Sequence, residues 1–257
     1  MKPVFPWPGG KSWAVRYVLP RIRKQRHVCY CEPFGGGLAV LLAKELSKIE
    51  VVNDINSELI NFYRCVRFHR DALIEELQWA LSSREEFAAL KKRQGLTDLQ
   101  RAAGWFRLQS MSFGGDGDSY GVQRQPGGAV NKSRHGLLEK IDALNARLDK
   151  VNIENLDWPR CIQLYDSART LFFVDPPYTG CQLKTYAAWS HQEMTRLRDL
   201  LAGVKGHWLL TVNDTAANRA VFGKLGGRIS ALKRCRGISN RDGKPSTAYK
   251  ELLIEKR

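Results

Sequence analysis

Residues 28–37 read Val-Cys-Tyr-Cys-Glu-Pro-Phe-Gly-Gly-Gly. The apolar start of this stretch predicts a short strand, and the three consecutive glycines predict the turn that follows it. Residues 38–46 then show a helical pattern, and residues 50–53 form a second strand-like run that ends at Asp54. Strand, turn, helix and strand in this order make a βαβ unit, so we expect a parallel sheet and an α/β fold.

The same alternation returns in the second half of the chain. Strands are predicted at residues 171–174, 208–212, 229–233 and 251–254, and helices at 191–201 and 216–222. Between them the pattern is helical, at residues 59–68, 73–81, 84–92, 98–111 and 137–148, with no strong buried strand. The sequence therefore predicts an α/β domain of residues 1–56 plus 160–257, interrupted by a mostly helical insertion of residues 57–159.

Two segments rich in glycine and proline are predicted to be loops. Residues 3–11 read PVFPWPGGK and cannot begin as a regular element, so we expect a loop that leads into a helix. Residues 112–128 lie between the last two helices of the insertion and contain six glycines. We expect them to form an exposed loop or hairpin.

The charge of the chain indicates a polyanionic partner. Its 257 residues include 41 Lys and Arg against 26 Asp and Glu, a formal net charge of +15. That excess is larger than the charge of about 2 to 8 that keeps a small domain soluble. Residues 1–31 hold seven basic and no acidic residues, and residues 226–257 hold nine basic and three acidic ones. If the two ends of the chain meet, they make one basic face.

The cysteine pattern and the hydropathy of the sequence indicate in which compartment the protein is expected. The six cysteines form no CxxC pair, which argues against a zinc site. We see no secretory leader and no apolar run of the about 18 to 20 residues that a membrane span requires. We therefore expect a cytoplasmic protein with reduced thiols.

The glycine turn and Asp54 together suggest a nucleotide-like cofactor. A glycine turn between strand and helix lets the backbone approach a bound nucleotide, but Val40 stands where a dinucleotide fingerprint has its third glycine. Asp54 lies 19 residues after Gly35, at a strand end where a carboxylate can accept both hydroxyls of a ribose. This favours an adenosine-containing cofactor without a pyrophosphate. The alternatives are a tight turn without a ligand, and Asp54 as the N-cap of a helix that begins near Ser57.

Residues 171–178 read Leu-Phe-Phe-Val-Asp-Pro-Pro-Tyr and predict a second binding element. A buried strand delivers Asp175 to the carboxyl edge of the sheet, and two prolines fix the turn after it. The carboxylate and a backbone carbonyl are two acceptors that match the two N–H donors of an exocyclic amino group. Tyr178 can stack on a base, which is worth about 1 to 3 kcal/mol. The alternative is a plain proline turn with a solvated Asp and a core Tyr.

The chain resembles the Dam-like, D12 class N6-adenine DNA methyltransferases. Four segments carry the resemblance, namely residues 6–11 (PWPGGK), 32–37 (EPFGGG), 53–56 (NDIN) and 175–178 (DPPY). A fifth, residues 236–241 (RGISNR), looks like the family's basic loop before the last strand. The order of the motifs is also the family's. The resemblance implies a Rossmann-like S-adenosylmethionine-dependent methyltransferase sheet, with residues 57–159 as the inserted target-recognition domain.

The resemblance also implies roles for particular residues. Trp7 and Lys11 would contact S-adenosylmethionine, Asp54 would take its ribose, and Asp175 would border both cofactor and target. The residues that would shape the cofactor pocket are Phe34, Gly35 and Gly37, and those that would form the catalytic turn are Asp175, Pro176, Pro177 and Tyr178. The adenine would be flipped out of the duplex, and no metal is needed. The alternatives are a solvent-facing lysine at position 11 and a core aromatic at position 7.

DNA contacts are expected from basic residues in two loops. The residues are Arg124, Lys132 and Arg134 in or after the glycine-rich segment, and Arg236 and Arg241 in the loop before the last strand. Contact with phosphate is expected more than contact with a base. The alternative is that the first three are solvated loop charges. The glycine-rich segment departs from the Dam pattern, so the target sequence stays open.

Three functions remain in competition. The first is S-adenosylmethionine-dependent methylation of adenine N6 in DNA at a short specific site, as in restriction-modification. The second changes the acceptor to cytosine N4 or to an RNA amino group, and the third is a DNA-binding relative that has lost catalysis. Intact Asp175, Asp54 and Lys11 speak against the third, and the motif order favours adenine. We expect a monomer of bacterial, phage or prophage origin.

Overall fold

The computed structural model describes residues 1–78, 83–92, 95–122, 134–178, 189–233 and 250–256. Seven strands in these segments form one sheet. They are β1 (Cys29–Glu32), β2 (Ile49–Asn53), β3 (Val151–Glu154), β4 (Thr170–Val174), β5 (His207–Asn213), β6 (Arg228–Lys233) and β7 (Lys250–Glu255). Their order is β3-β2-β1-β4-β5-β7-β6, and β7 runs antiparallel to both of its neighbours. The strands β1 to β5 are parallel to one another.

Helices cover both faces of the sheet. In chain order the described helices are α1 (Val15–Lys24), α2 (Ser57–Phe68), α3 (Arg70–Gln78), α4 (Arg84–Lys92), α5 (Asp98–Met111), α6 (Arg134–Leu148), α7 (Trp158–Tyr165), α8 (His191–Gly203) and α9 (Ala216–Gly223). A short 3-10 turn, Phe113–Gly115, follows α5.

Two hydrophobic clusters lie on opposite faces of the sheet. Along β4, Leu171 and Phe173 pack with residues of α1, α2, α5 and α6, whereas Phe172 and Val174 pack with α7, α8 and α9. Every residue of β4 is buried, because a central strand of a parallel sheet has helices on both sides. This burial explains why β4 reads as a continuous apolar run. The predicted Rossmann-like α/β class is confirmed.

The structure corrects one predicted helix and adds one strand that the sequence pattern does not predict. The helix predicted at residues 38–46 is wrong, because this segment forms turns and Leu38 takes a left-handed φ of 56° that interrupts a helix at its start. The insertion, for which no strong buried strand is predicted, also contains the edge strand β3, which pairs in parallel with β2. β3 is a short edge strand in which only Val151 is fully buried, so its apolar signal is weak. The division into two domains stays a prediction.

Candidate active site

The site forms where the strand order reverses. β1 and β4 are neighbours in the sheet, and the chain leaves their carboxyl ends in the turns that contain the two predicted motifs. Ligands of open parallel sheets bind at this kind of switch point. A cavity of about 490 Å³ opens there, lined by the N-terminal loop, the glycine turn, the end of β2 and the turn after β4.

The structure brings ten of the predicted site residues to this cavity. They are Trp7, Lys11, Phe34, Gly35, Gly37, Asp54, Asp175, Pro176, Pro177 and Tyr178. Among the predicted DNA contacts, Arg124, Lys132, Arg236 and Arg241 lie outside the described residues, and Arg134 is the first residue of α6. The roles of all these residues stay predictions.

Asp54 is held by backbone groups on both sides. Its Oδ2 accepts from Gly36 N at 2.9 Å, and its Oδ1 accepts from Asn56 N at 2.9 Å. The N-cap of α2 is Asn56, whose side chain accepts from the backbone N–H groups of Glu58 and Leu59. The alternative of Asp54 as the N-cap is therefore wrong. The carboxylate fixes the glycine turn against the end of β2 and lines the cavity.

The glycines of the turn leave room for Trp7. A Cβ on Gly36 would lie 2.6 Å from Trp7 Nε1, and one on Gly37 would lie 3.1 Å from Trp7 Cβ. Gly36 also has a φ of 46°, which a side chain rarely adopts. The indole packs edge-on against Phe5 at 5.9 Å between ring centroids. Trp7 thus packs against the aromatic core and also lines the cavity, and its contact with a cofactor stays a prediction.

Lys11 is buried and ion-paired. Its Nζ lies 2.8 Å from Asp175 Oδ1, donates to Gly9 O at 2.9 Å, and stands 4.8 Å from the centre of the Tyr178 ring. The lysine is only 4% exposed, so the alternative of a solvent-facing lysine is wrong. The alternative of a solvated Asp175 is also wrong, because its carboxylate is 19% exposed and faces a buried cation. The N-terminal motif and the turn after β4 therefore form one charged unit.

Glu32 is a cavity residue that the sequence did not single out. It ends β1, is 2% exposed, and accepts from Tyr30 Oη at 2.7 Å. The pKa of Glu32 is raised to about 7, and burial is the largest cause; the hydrogen bond from Tyr30 opposes this rise, and the negative charge of Asp175 adds to it. The sequence feature that could have identified Glu32 as a site residue is its position as an acidic residue at the end of a short, otherwise apolar strand.

A second cavity of about 280 Å³ adjoins the first and shares Phe34 and Pro177 with it. Its walls are aromatic. The rings of Phe34 and Trp158 are stacked with centroids 6.0 Å apart, and Trp189 packs edge-on against Phe34 at 5.6 Å. Trp158 and Trp189 were not predicted as site residues, because isolated tryptophans read as core. This slot suits a flat apolar group.

The glycine-rich segment after α5 contacts the N-terminal loop. Ser112 and Tyr120 form an antiparallel bridge, which confirms the hairpin interpretation for the part of the segment that the structure describes. A Cβ on Gly115 would lie 2.1 Å from Pro6 O, so the two backbones approach each other closely. Gly114 lines the larger cavity. The predicted insertion therefore reaches the candidate cofactor loop.

Two features are absent from the part of the chain that the structure describes. In that part of the chain, no group of three or more His, Cys, Asp or Glu side chains could hold a metal ion. None of the helices described is both long and apolar enough to cross a membrane.

A mostly parallel sheet in this order, with a glycine turn after β1, a carboxylate after β2 and an acidic proline turn after β4, defines a Rossmann-like methyltransferase. The chain belongs to the D12 class N6 adenine-specific DNA methyltransferase family, whose sequence profile matches residues 7–225. This confirms the family resemblance and makes the protein an adenine-specific DNA methyltransferase. Membership also implies S-adenosylmethionine as the methyl donor and DNA as the substrate.

Curated relatives agree with this assignment. The chain is 28% identical to the Type II methyltransferase M.MjaIII of Methanocaldococcus jannaschii, over 99% of this chain and 98% of the relative. It is 26% identical to the Type II methyltransferase M1.LlaDCHI of Lactococcus lactis subsp. cremoris, over 84% and 82%. It is 24% identical to the DNA N-6-adenine-methyltransferase of Escherichia phage P1, over 98% of this chain and 35% of that protein.

Proposed function

We propose that the two cavities and the turn after β4 form the active site that transfers a methyl group from S-adenosylmethionine to adenine N6 in DNA. One observation carries the proposal. Lys11, Asp54 and Asp175 come from three distant parts of the sequence and line the same cavity. Their charges and hydrogen bonds leave the carboxyl edge of the sheet acidic at the point where both ligands would meet.

The lining of the site fits the cofactor. The aromatic slot at Phe34 and Trp158 would receive the adenine ring, and Asp54, next to it, would accept from the ribose hydroxyls. Glu32 and Asp175 give the cavity carboxylates that suit a ligand with a positive sulfonium and a positive ammonium group. When bound, S-adenosylmethionine supplies a methyl group that is already activated on its positively charged sulfur.

Asp175 and the backbone after it would hold the target amino group. Pro176 and Pro177 have no backbone N–H, so this turn offers acceptors and rigid geometry instead of donors. Hydrogen bonds from both N6 protons to the Asp175 carboxylate and a carbonyl of the Pro176 region would localise the N6 lone pair toward the methyl group. Tyr178, half-buried at the cavity, would stack on the base. An amino group inside a duplex cannot reach this cavity, so the adenine would be flipped out.

The basic surface would bind the DNA backbone. Arg21 of α1 donates to Ser230 Oγ at 3.1 Å and lies 3.8 Å from Glu255, so the two ends of the chain are in contact. Arg16, in the first turn of α1, is exposed. In the sequence it closely follows Lys11 and Ser12, which line the cavity. We propose that this face holds phosphates while the insertion of residues 57–159 selects the target sequence.

The test is a methyl-transfer assay with nucleoside analysis. Duplex DNA is incubated with methyl-labelled S-adenosylmethionine, and the labelled nucleoside is identified by mass spectrometry. We expect N6-methyladenine from the wild type, a loss of at least about 100-fold in Asp175→Ala, and full activity in Asp199→Asn, an exposed carboxylate on α8. Label in N4-methylcytosine, transfer to RNA alone, or undiminished transfer by Asp175→Ala would each contradict the proposal.

A further inference from the structure

The carboxylate of Asp175 has a second partner that lies far from it in the sequence. Thr211 Oγ1 donates to Asp175 Oδ1 at 2.7 Å, the same oxygen that faces Lys11 Nζ at 2.8 Å. Neither contact uses Oδ2. Because two donors bind Oδ1, the carboxylate cannot rotate freely, and the direction in which Oδ2 points is set as well.

The place of Thr211 in the fold makes its hydroxyl unusual. It lies on β5, directly after Leu210. Leu210 pairs with Val174, the last residue of β4 before the catalytic turn. Thr211 is completely buried in a strand whose other buried residues are apolar. Valine has the same shape and would need no hydrogen-bond partner, so core packing alone does not call for a hydroxyl here. The hydroxyl lies 2.7 Å from the Asp175 carboxylate and 3.5 Å from Val174 O, so the carboxylate is its closer acceptor and explains its presence.

A second buried carboxylate lies beside Lys11. Glu251 is the second residue of β7, pairs with Asn213 of β5, and is 3% exposed. Its Oε2 lies 3.9 Å from Lys11 Nζ. Lys11 therefore stands between two carboxylates, and the three side chains carry one positive and two negative formal charges. A single lysine–aspartate pair would be neutral, whereas this cluster keeps a negative charge.

We infer that Thr211 and Glu251 are positioning residues for methyl transfer, which act through Asp175 and Lys11. Thr211 sets the orientation of the Asp175 carboxylate, and Glu251 shares the charge of Lys11 so that Asp175 stays an effective acceptor for the target amino group. The inference rests on the proposed role of Asp175.

The charge of the cluster matters during the transfer. The N6 lone pair forms the bond to the methyl carbon, while the electron pair of the breaking carbon–sulfur bond stays on sulfur. Positive charge thus passes to N6 until one of its protons leaves to water. A fixed negative charge next to N6 stabilises this change, and it acts strongly because the cluster is shielded from solvent. The carboxylates also attract the positive cofactor before the charge moves, but only the attraction that grows as the charge reaches N6 lowers the barrier to transfer.

The test compares matched variants by single-turnover rate, by KM for S-adenosylmethionine and DNA, and by thermal unfolding. Thr211→Val should lower the rate by about 10- to 100-fold and leave both KM values within about 3-fold. Thr211→Ser, which keeps the hydroxyl, should restore the rate to within about 3-fold of wild type. The control is Thr170→Val. Thr170 is a buried threonine at the amino end of β4, away from the cavity, and its hydroxyl donates to Tyr165 O at 2.7 Å. The substitution should lower the melting temperature without lowering the rate.

Glu251→Gln tests the charge separately, because it keeps the shape of the side chain. We expect a rate about 10-fold lower with little change in KM, and a partial recovery in Glu251→Asp. A wild-type rate in both Thr211→Val and Glu251→Gln would overturn the inference. So would equal losses in Thr211→Val and Thr211→Ser, or losses that follow the melting temperature in every variant.

Asp175→Asn, assayed alongside, separates this inference from the proposed function. If Asp175→Asn keeps the wild-type rate, the proposed role of Asp175 fails. If Asp175→Asn is slow while Thr211→Val is fast, only the inference about Thr211 fails.

Discussion

Gly36 donates its backbone N–H to Asp54 Oδ2 across 2.9 Å, so the carboxylate at the end of β2 holds the glycine turn at the end of β1. Asn56 N binds the other oxygen of the same carboxylate. Asp54 is therefore a structural anchor of the turn as well as the proposed ribose acceptor. Each carboxylate oxygen can accept more than one hydrogen bond, so the two roles are compatible.

Substitution of Asp54 should reveal both roles at once. In Asp54→Ala we expect KM for S-adenosylmethionine to rise by about 10- to 100-fold, because the ribose acceptor is lost. The free energy of unfolding should also fall by about 1 to 3 kcal/mol, since two backbone N–H groups lose a charged acceptor. Titration calorimetry with the cofactor and chemical denaturation measure the two effects. Unchanged cofactor affinity in a folded variant would remove Asp54 from the binding site.

The close approach of Gly115 to Pro6 predicts that the hairpin supports the cofactor loop. Gly115→Ala places a methyl group against Pro6 O, whereas Gly114→Ala meets nothing within 4 Å although its φ of 67° is similarly left-handed. The Gly114 variant should lose about 1 to 2 kcal/mol of stability from backbone strain. We expect the Gly115 variant to lose more and to raise KM for S-adenosylmethionine, measured by thermal unfolding and steady-state kinetics. Equal behaviour of the two variants would argue against the coupling.

The raised pKa of Glu32 predicts a pH dependence of stability. Its folded pKa of about 7 lies above its ordinary value of 4.5, so between these values the folded protein binds more protons at Glu32 than the unfolded chain does. The contribution of this group to stability is then greatest at low pH and is lost as the pH rises from 4.5 through about 7. Glu32→Gln should remove this slope and be more stable than wild type at pH 8 by up to about 3 kcal/mol. Denaturation at pH 5 and pH 8 checks this, and a difference between variant and wild type that is the same at both values would contradict it.

The two ends of α1 should differ in their effect on DNA binding. Arg16 is exposed in the first turn and follows Lys11 and Ser12, which line the cavity, closely in sequence. Lys24 is exposed in the last turn, which leads to the amino end of β1. Arg16→Ala should weaken binding and reduce the log–log salt slope by about 0.9 if it neutralises one phosphate. Lys24→Ala should leave the slope unchanged. Fluorescence anisotropy over a range of salt concentrations measures both, and an equal effect of the two variants would place the DNA elsewhere.

Most of the sheet could be predicted from the sequence because its central strands are buried on both faces. The apolar run of β4 and the glycine turn after β1 are local signals that survive any arrangement of the rest of the chain. The edge strand β3 was missed because one buried side chain in four gives no clear period. The segment after Gly37 was predicted to be a helix, since its apolar pattern does not show that Leu38 would take a left-handed conformation.

By itself, the sequence determined the class of fold, the family, and the chemistry of the site, because these depend on short motifs whose geometry is set by local backbone constraints at glycine and proline. The tertiary structure alone decided which groups surround those motifs. Trp7 fills the space left open by the glycines, and Thr211 and Glu251 meet Asp175 and Lys11 although the two pairs lie far apart along the chain. Such contacts depend on the order in which strands are placed side by side, and no local sequence pattern records that order.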